Sequence, residues 1–275
     1  MTRDVEIISV GNELLIGKVL NTNAQWLSKR ATTLGITVKR VTVVPDDVNE
    51  TARAIRETLR RKPQFVLTTG GLGPTFDDKT LESIAKALRR KLEVNQAALQ
   101  MVKEKYHSFA TKIGSKNVEL TQPRVKMATI PENAKPIHNP VGTAPAVQID
   151  LKGTVLIALP GVPREMGAIF EETIALLLNP ASEGNSFHEE SLYVDDIMES
   201  VLAPLIDEVM HENPGIYIKS HPRGAENKPH MEIHFSMTAA DEEKSREKLQ
   251  KAITQLSNLI MRNNGRVFTQ QQATG

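Results

Sequence analysis

The stretch Val66-Leu67-Thr68-Thr69-Gly70-Gly71-Leu72-Gly73-Pro74-Thr75-Phe76-Asp77-Asp78-Lys79-Thr80 passes from an apolar run through a glycine-rich turn to two adjacent carboxylates and then into a helical pattern. That order reads as strand, loop and helix start. Glycines let backbone N–H groups approach an anion closely, and a helix N-terminus adds positive dipole. Asp77 and Asp78 cannot bind phosphate directly, but they can hold a divalent cation that does. The bland alternative is a tight turn with Asp77 as an N-cap. Two features favour function. The loop follows a presumed parallel strand, where open α/β sheets bind ligands, and Thr69, Thr75 and Thr80 surround it with hydroxyls.

Outward from this loop the chain alternates. Val5 to Val10 reads as a strand ending in the loop Gly11 to Gly17. A helix follows with Asn23 as N-cap, an apolar face of Ala24, Leu27, Ala31 and Leu34, and Gly35 as its stop. Ile36 to Val44 is a second strand. Asp47 and Glu50 have capping-box spacing and open a helix through Arg61. Gln64 to Thr69 is the third strand, and Leu81, Ile84, Ala85 and Leu88 stripe the helix after the glycine loop. This alternation predicts a mostly parallel sheet covered on both faces. Asn95 to His107 reads as helix and Val125 to Ile130 as strand. Ala146 to Leu151 and Thr154 to Leu159 are expected to form a hairpin around Gly153. Pro160-Gly161-Val162-Pro163 breaks the chain before a helix from Arg164 to about Leu178.

Residues 179–187 read as a linker, because Pro, Ser, Gly and Asn cluster there. A smaller α+β unit of β-α-β-β-α pattern is expected over 188–268, after a first domain of 1–178, with 269–275 as a polar tail. Its elements are a short strand Leu192 to Val194, a helix capped by Asp195 or Asp196 with an Ile197, Val201, Leu205 and Val209 stripe, a strand pair at Ile216 to Ser220 and His230 to Met237, and a long helix from Asp241 to Met261.

Composition bounds the function. The chain has 275 residues, 40% hydrophobic and 24% charged, with a formal net charge of +1. No global field draws in nucleic acid or an acidic membrane surface. The absence of Cys removes thiol catalysis, cysteine-based metal sites and disulfides. The first residues lack a signal-peptide pattern and no apolar run is long enough to span a membrane, so a cytoplasmic protein is the expectation.

Two other strand ends carry similar loops, Gly11-Asn12-Glu13 and Pro160 through Met166. In a parallel sheet these ends share one edge. Glu13 is a candidate third carboxylate for the metal, and Lys18 or Arg164 a candidate partner for phosphate. Neither a Walker-A motif nor Gly-x-Gly-x-x-Gly is present, which argues against P-loop and ordinary dinucleotide folds. His230, Glu232 and His234 share one face of a strand, with His221 nearby. A half-buried strand with its polar face in water is the favoured reading there over a metal chelate.

Four stretches together carry a resemblance: Gly11 to Leu15 with Asn21 to Ala24, Thr68 through Thr80, Asn139 through Ala144, and Pro160 through Met166. With these the chain resembles the CinA-like family, whose first domain has the molybdopterin-binding fold, and the smaller unit is similar to that family's middle domain. The resemblance implies a three-layer α/β domain that hydrolyses the pyrophosphate of ADP-ribose or a related dinucleotide with a divalent metal such as Mg, Mn or Co. It implies that Asp78 is the essential carboxylate, aided by Asp77 and Glu13. It implies ligand contacts from Asn12, Asn21, Thr69, Gly70, Gly71, Gly73, Thr75 and Thr80, from Asn139, Gly142 and Thr143, and from Pro160, Gly161 and Arg164. A homodimer is implied too. The sequence has no counterpart to the family's carboxy-terminal nicotinamide mononucleotide deamidase domain, so no amidase activity is expected. Where the family often has Lys-Gln-Ala, Lys126-Met127-Ala128 stands here, with one amide fewer for the ligand. Two alternatives to the pyrophosphatase stay open: molybdopterin binding or adenylylation, and nucleotide binding without catalysis.

Overall fold

The structure is a computed structural model that describes residues 3–112, 120–178, 186–223, 230–239 and 241–268. The chain divides into two compact units, Met1–Thr32 with Ile36–Pro180, and Ala181–Gly275 with Thr33–Gly35.

The first unit is built on a six-stranded sheet. Strands β1 (Asp4–Val10), β2 (Thr37–Val44), β3 (Phe65–Thr69), β6 (Lys135–Ile137), β7 (Ala146–Leu151) and β8 (Thr154–Leu159) lie in the order β2-β1-β3-β8-β7-β6. The pairs β1·β2, β1·β3 and β3·β8 are parallel, and β7 alone runs against its two neighbours. β4 (Leu92–Val94) and β5 (Thr129–Pro131) make a separate antiparallel pair. The central strands are buried along their length, as doubly covered parallel strands must be.

Side-chain parity assigns the faces. Ile8, Val66, Leu156, Ala158, Val147 and Ile149 pack with residues of α3 (Val48–Arg60), α4 (Thr80–Leu88) and α5 (Gln96–Lys112) in one apolar cluster. The alternate residues Ile7, Leu67, Ile157 and Leu159 are equally buried and belong to the opposite face. The first unit also carries helices α2 (Thr22–Thr33) and α7 (Pro163–Ile169), with the π-helical turn Phe170–Ile174 and α8 (Ala175–Leu178) after it. Trp26 of α2 meets Phe170 edge-to-face, with ring centroids 5.3 Å apart. Buried Glu6 pairs bidentately with Arg61 at 2.7 and 2.5 Å, tying the end of α3 to β1.

Local signals act as expected at several ends. Asp47 caps α3 by accepting from the amides of Asn49 and Glu50. Gly35 takes φ 74 past α2, and the Ile36 amide closes back on the Ala31 carbonyl at 3.0 Å. Three readings need correction. The loop Gly11 to Gly17 contains a one-turn helix, α1 (Asn12–Leu15). Asn21, not Asn23, caps α2, its side-chain oxygen accepting from the Ala24 amide at 3.2 Å. Val125 and Lys126 are helical, in α6 (Gln122–Lys126), because Pro123 sits in that helix's first turn; only the end of the expected strand survives, as β5.

The second unit has the order β9 (Ser186–Asp195), α9 (Glu199–Glu212), β10 (Tyr217–Pro222), β11 (His230–Ala239), α10 (Glu242–Arg262) and β12 (Arg266–Phe268). Its antiparallel sheet runs β10-β11-β9-β12, so a last short strand extends the expected pattern to β-α-β-β-α-β. Of the expected linker 179–187, residues 186 and 187 already belong to β9, and the rest lie outside the described residues, as does the expected tail 269–275. α9 begins after Met198 and buries Leu202, Ile206 and Val209, whereas Val201 is exposed and Ile197 is buried ahead of the helix. His230 pairs with Asp195 at 2.6 Å and His234 with Glu189 at 3.1 Å, while Glu232 accepts from Ser191 and Arg223. The polar face of β11 is thus engaged across strands. Among the described residues no helix is long and apolar enough to cross a membrane.

Candidate active site at the strand tips

The parallel strands deliver Gly11, Asp46, Gly70 and Pro160 to one edge of the first unit's sheet, since each follows the C-terminal end of β1, β2, β3 or β8. Because β7 is antiparallel, the loop 139–145 that precedes it reaches the same edge. A cavity of about 450 Å³ opens among these tips. Its size suits a nucleotide-scale ligand. The crevice lies where strand order reverses, between β1 and β3, the usual ligand position in open α/β sheets.

The glycines are there for backbone reasons. Gly70 has φ 105 and a Cβ on it would overlap the Val10 carbonyl oxygen; Gly71 has φ 69 and a Cβ would overlap the Thr80 hydroxyl. Thr80 is fully buried beneath the loop, its hydroxyl donating to the Gly70 carbonyl at 2.7 Å and its amide to the Gly71 carbonyl at 3.1 Å. Among the described residues the amides of Gly71, Leu72 and Gly73 meet no acceptor. The loop is shaped so that its own main chain lines the cavity.

The carboxylates beyond it are organised by Thr75. Its amide donates to Asp78 Oδ2 at 2.8 Å, and its hydroxyl lies 2.6 Å from the same oxygen and close to Asp77 Oδ1. Lys126 donates to the Thr75 carbonyl. The Thr75 hydroxyl foremost, then the backbone amide of Asp77 and the charges of Lys126 and Lys79, hold the Asp77 carboxyl below the usual carboxylate range. The resemblance implies a ligand contact for Thr75, but its amide and hydroxyl are engaged with the two aspartates.

Of the expected site residues, Glu13, Asn21, Thr69, Gly70, Gly71, Gly73, Thr75, Asp77, Asp78, Thr143, Pro160 and Gly161 line this cavity. Five do not. The Asn12 amide donates to Asp46 at 2.8 Å. Thr80 supports the loop from below. Asn139 is buried and uses all its valences internally, donating to the Ala144 carbonyl and Glu165 and accepting from the amides of Val141 and Gly142. Gly142 is packed against the Glu165 carboxylate. Arg164 is exposed, and its neighbour Glu165 lines the cavity instead. The three carboxylates Glu13, Asp77 and Asp78 do not form a ready cage: among the described residues no three His, Cys, Asp or Glu side chains are placed to hold a metal together. Glu13 folds back over Gly11. Two adjacent aspartates still suit a magnesium-type ion, which is commonly held by one or two carboxylates plus phosphate oxygens and waters.

Sequence reasoning missed Asn23, Asp46 and Glu165 as site residues. Asn23 donates to the Thr69 hydroxyl at 2.9 Å and to the Gly161 carbonyl at 2.8 Å, clasping the tips of β3 and β8. Thr69 adds a bond of its own to the Pro160 carbonyl at 3.1 Å. Asp46 was available to the strand-end rule, since it follows β2. Met127 occupies the position of the missing amide, where its sulfur accepts from Thr143 at 3.8 Å.

Comparison with known proteins agrees with this architecture. Residues 6–179 match the family model described as probable molybdopterin binding domain. A protein of Caldivirga maquilingensis is 48% identical over 252 residues, covering 91% of this chain and 94% of that one, and one of Sulfurisphaera tokodaii is 39% identical over 264 residues, covering 96% and 97%. Among solved structures, the CinA protein of Thermoplasma acidophilum, described as of unknown function, superposes with a TM-score of 0.57 at 41% identity, over 63% of this chain and 96% of that one. With its strand order, glycine loop and these matches taken together, the chain belongs to the molybdopterin-binding domain family and is CinA-like within it.

Proposed function

We propose that the first unit hydrolyses the phosphoanhydride bond of a nucleoside diphosphate derivative of the ADP-ribose type. What carries this reading is the placement of the Gly71–Gly73 main chain and the Asp77–Asp78 pair in one cavity with the tips of β1 and β8. Unpartnered amides next to ionised carboxylates are contradictory for a simple anion site and for a simple cation site. They are compatible when a diphosphate and a divalent cation bind together. Asp78 and Asp77 would hold such a cation, which when bound would supply Lewis-acid charge and lower the pKa of a water.

This chain's residues do the rest. The amides of the glycine loop receive the charge that builds on the phosphoryl oxygens. Thr75 keeps the two aspartates in register through its amide and hydroxyl. Asn23 fixes the distance between the loop and the β8 tip, so that the scissile group has one seat. Water adds to one phosphorus, the bridging P–O bond breaks, and two phosphate monoesters leave with the water's protons released to solvent.

The test is turnover of ADP-ribose, FAD and NAD with Mg, Mn or Co, with products identified by mass, for the native chain and Asp78→Ala. The expected result is a loss of at least 10³-fold in kcat with a smaller change in ligand affinity. Unchanged turnover in the variant refutes the assignment, and an adenylylated product from molybdopterin and ATP in place of hydrolysis selects the pterin chemistry instead.

A further inference from the structure

Five carboxylates line the cavity of the first unit, Glu13, Asp46, Asp77, Asp78 and Glu165, and no Lys or Arg joins them. Four of them are accounted for. Asp77 and Asp78 are tied to Thr75, one Asp46 oxygen accepts from the Asn12 amide, and exposed Glu13 folds back over Gly11. Glu165 is held differently. It is half-buried in the first turn of α7, and its Oε2 accepts from the Asn139 side chain at 2.7 Å. That amide cannot turn over, because its oxygen accepts from the amides of Val141 and Gly142 and its nitrogen also donates to the Ala144 carbonyl. Gly142 leaves room for the same carboxylate, since a Cβ there would overlap Oε2. The second oxygen, Oε1, meets no donor among the described residues. The bland reading is a brace for the loop 139–145. A brace needs one acceptor and no charge, so a glutamine would serve it as well. Placement adds to this. Glu165 follows the β8 tip by one helical turn, and there a Cβ on Gly161 would lie 3.3 Å from Gly70 Cα, so this tip abuts the glycine loop.

We infer that Glu165 is the proton acceptor of the hydrolysis, with Asn139 as its positioning residue. The inference rests on the hydrolytic reading above and adds a base that the reading leaves unnamed. The water oxygen bonds to phosphorus while Oε1 takes one of its protons. The bridging P–O bond breaks, its electron pair stays with the leaving phosphate, and Glu165 then passes the proton to solvent. A carboxylate fixed at one oxygen by a buried donor and open at the other is the arrangement a general base needs, with the third group setting its orientation.

The experiment compares the native chain with Glu165→Gln and Glu165→Ala. It reads kcat for ADP-ribose with Mg, and affinity for the α,β-methylene analogue that cannot be cleaved. Gln keeps an oxygen for the Asn139 amide, so the loop stays braced. Glu165→Gln is expected to lose roughly 10²-fold or more in kcat, while its affinity for the analogue stays within about threefold of native. Added formate is expected to raise the rate of Glu165→Ala by about tenfold or more. It is expected to do nothing for Glu165→Gln, whose amide still fills the place. A smaller loss of kcat in Glu165→Gln overturns the base and leaves the hydrolytic reading standing. So does a fall in analogue affinity that matches the fall in kcat, which makes Glu165 a ligand contact, and so does formate without effect on Glu165→Ala. A native chain that turns over none of ADP-ribose, FAD and NAD overturns both readings.

Discussion

Replacing Asn23 by Ala separates what holds the fold from what holds the site. Two hydrogen bonds are lost, to Thr69 and to the Gly161 carbonyl, at about 1 kcal/mol each. Against that, the Asn23 side-chain oxygen is buried without a partner, and deleting it returns about 1 kcal/mol. Ala is also the better helix former at this second position of α2, by a few tenths of a kcal/mol. The net cost is about 1 kcal/mol, which lowers the melting temperature by roughly 2–4 °C for a unit of this size. The functional cost is expected to be far larger. Without the clasp Gly161, one residue beyond the bond from Thr69 to the Pro160 carbonyl, loses its tie to the end of β3, and a shift of about 1 Å in a reacting group costs roughly 10²-fold in rate. Asn23→Asp is expected to be worse on both counts, because a carboxylate cannot donate to the Gly161 carbonyl and meets it with like charge. Calorimetry and ADP-ribose turnover on the three chains read both effects. If Asn23→Ala keeps turnover within about twofold of native while melting as calculated, the clasp does not position the site and the argument fails.

Two further outcomes follow from named contacts. Gly70→Ala places a Cβ against the Val10 carbonyl oxygen at φ 105, which is expected to cost about 3 kcal/mol and shows as a fall in the urea midpoint; a loss below about 1 kcal/mol contradicts the geometry. In the second unit, burial pushes the Glu232 carboxyl up, but Arg223, Ser191 and Tyr193 together outweigh it and hold the group below its usual 4.5. A folded-state pKa below the unfolded one adds stability above 4.5 that disappears as pH falls through the folded value. Native protein should therefore lose stability more steeply in acid than Glu232→Gln, and parallel acid-unfolding curves for the two would rule this out.

Much of the sheet was legible because doubly buried strands write themselves as apolar runs: Val5 to Val10, Phe65 to Thr69 and Thr154 to Leu159 leave no competing pattern. Asp47 and Gly35 were legible because a cap is a local event. What escaped was decided at a distance. Asn21 and Asn23 are two short amides two residues apart, and nothing local says which one caps α2; the choice is made by Thr69 and Gly161, far along the chain, which claim Asn23. A ligand contact at Asn139 is what the resemblance implies, yet its partner Glu165 stands a whole hairpin further along the chain and turns it into a strut. The three-residue strand β12 carries too little sequence to declare itself, and it exists because β9 offers an open edge.

The site depends on one reversal of direction. Four strand tips meet at an edge in any parallel sheet, but the loop 139–145 arrives there only because β7 runs backwards. The reversal is made by a two-residue turn, Lys152-Gly153, in which Leu151 pairs with Thr154 and Gly153 takes φ 83. Were β7 parallel to β8, a strand of six residues would carry that loop about 20 Å away, to the opposite edge. Thr143 and Ala144 would then leave the cavity wall, and Asn139 would lose Glu165. Side-chain parity locks the choice, since a slip by one residue would exchange buried Val147 and Ile149 for Gln148 and Asp150. The small turn far from the cavity is therefore as much a part of the site's construction as the glycine loop inside it.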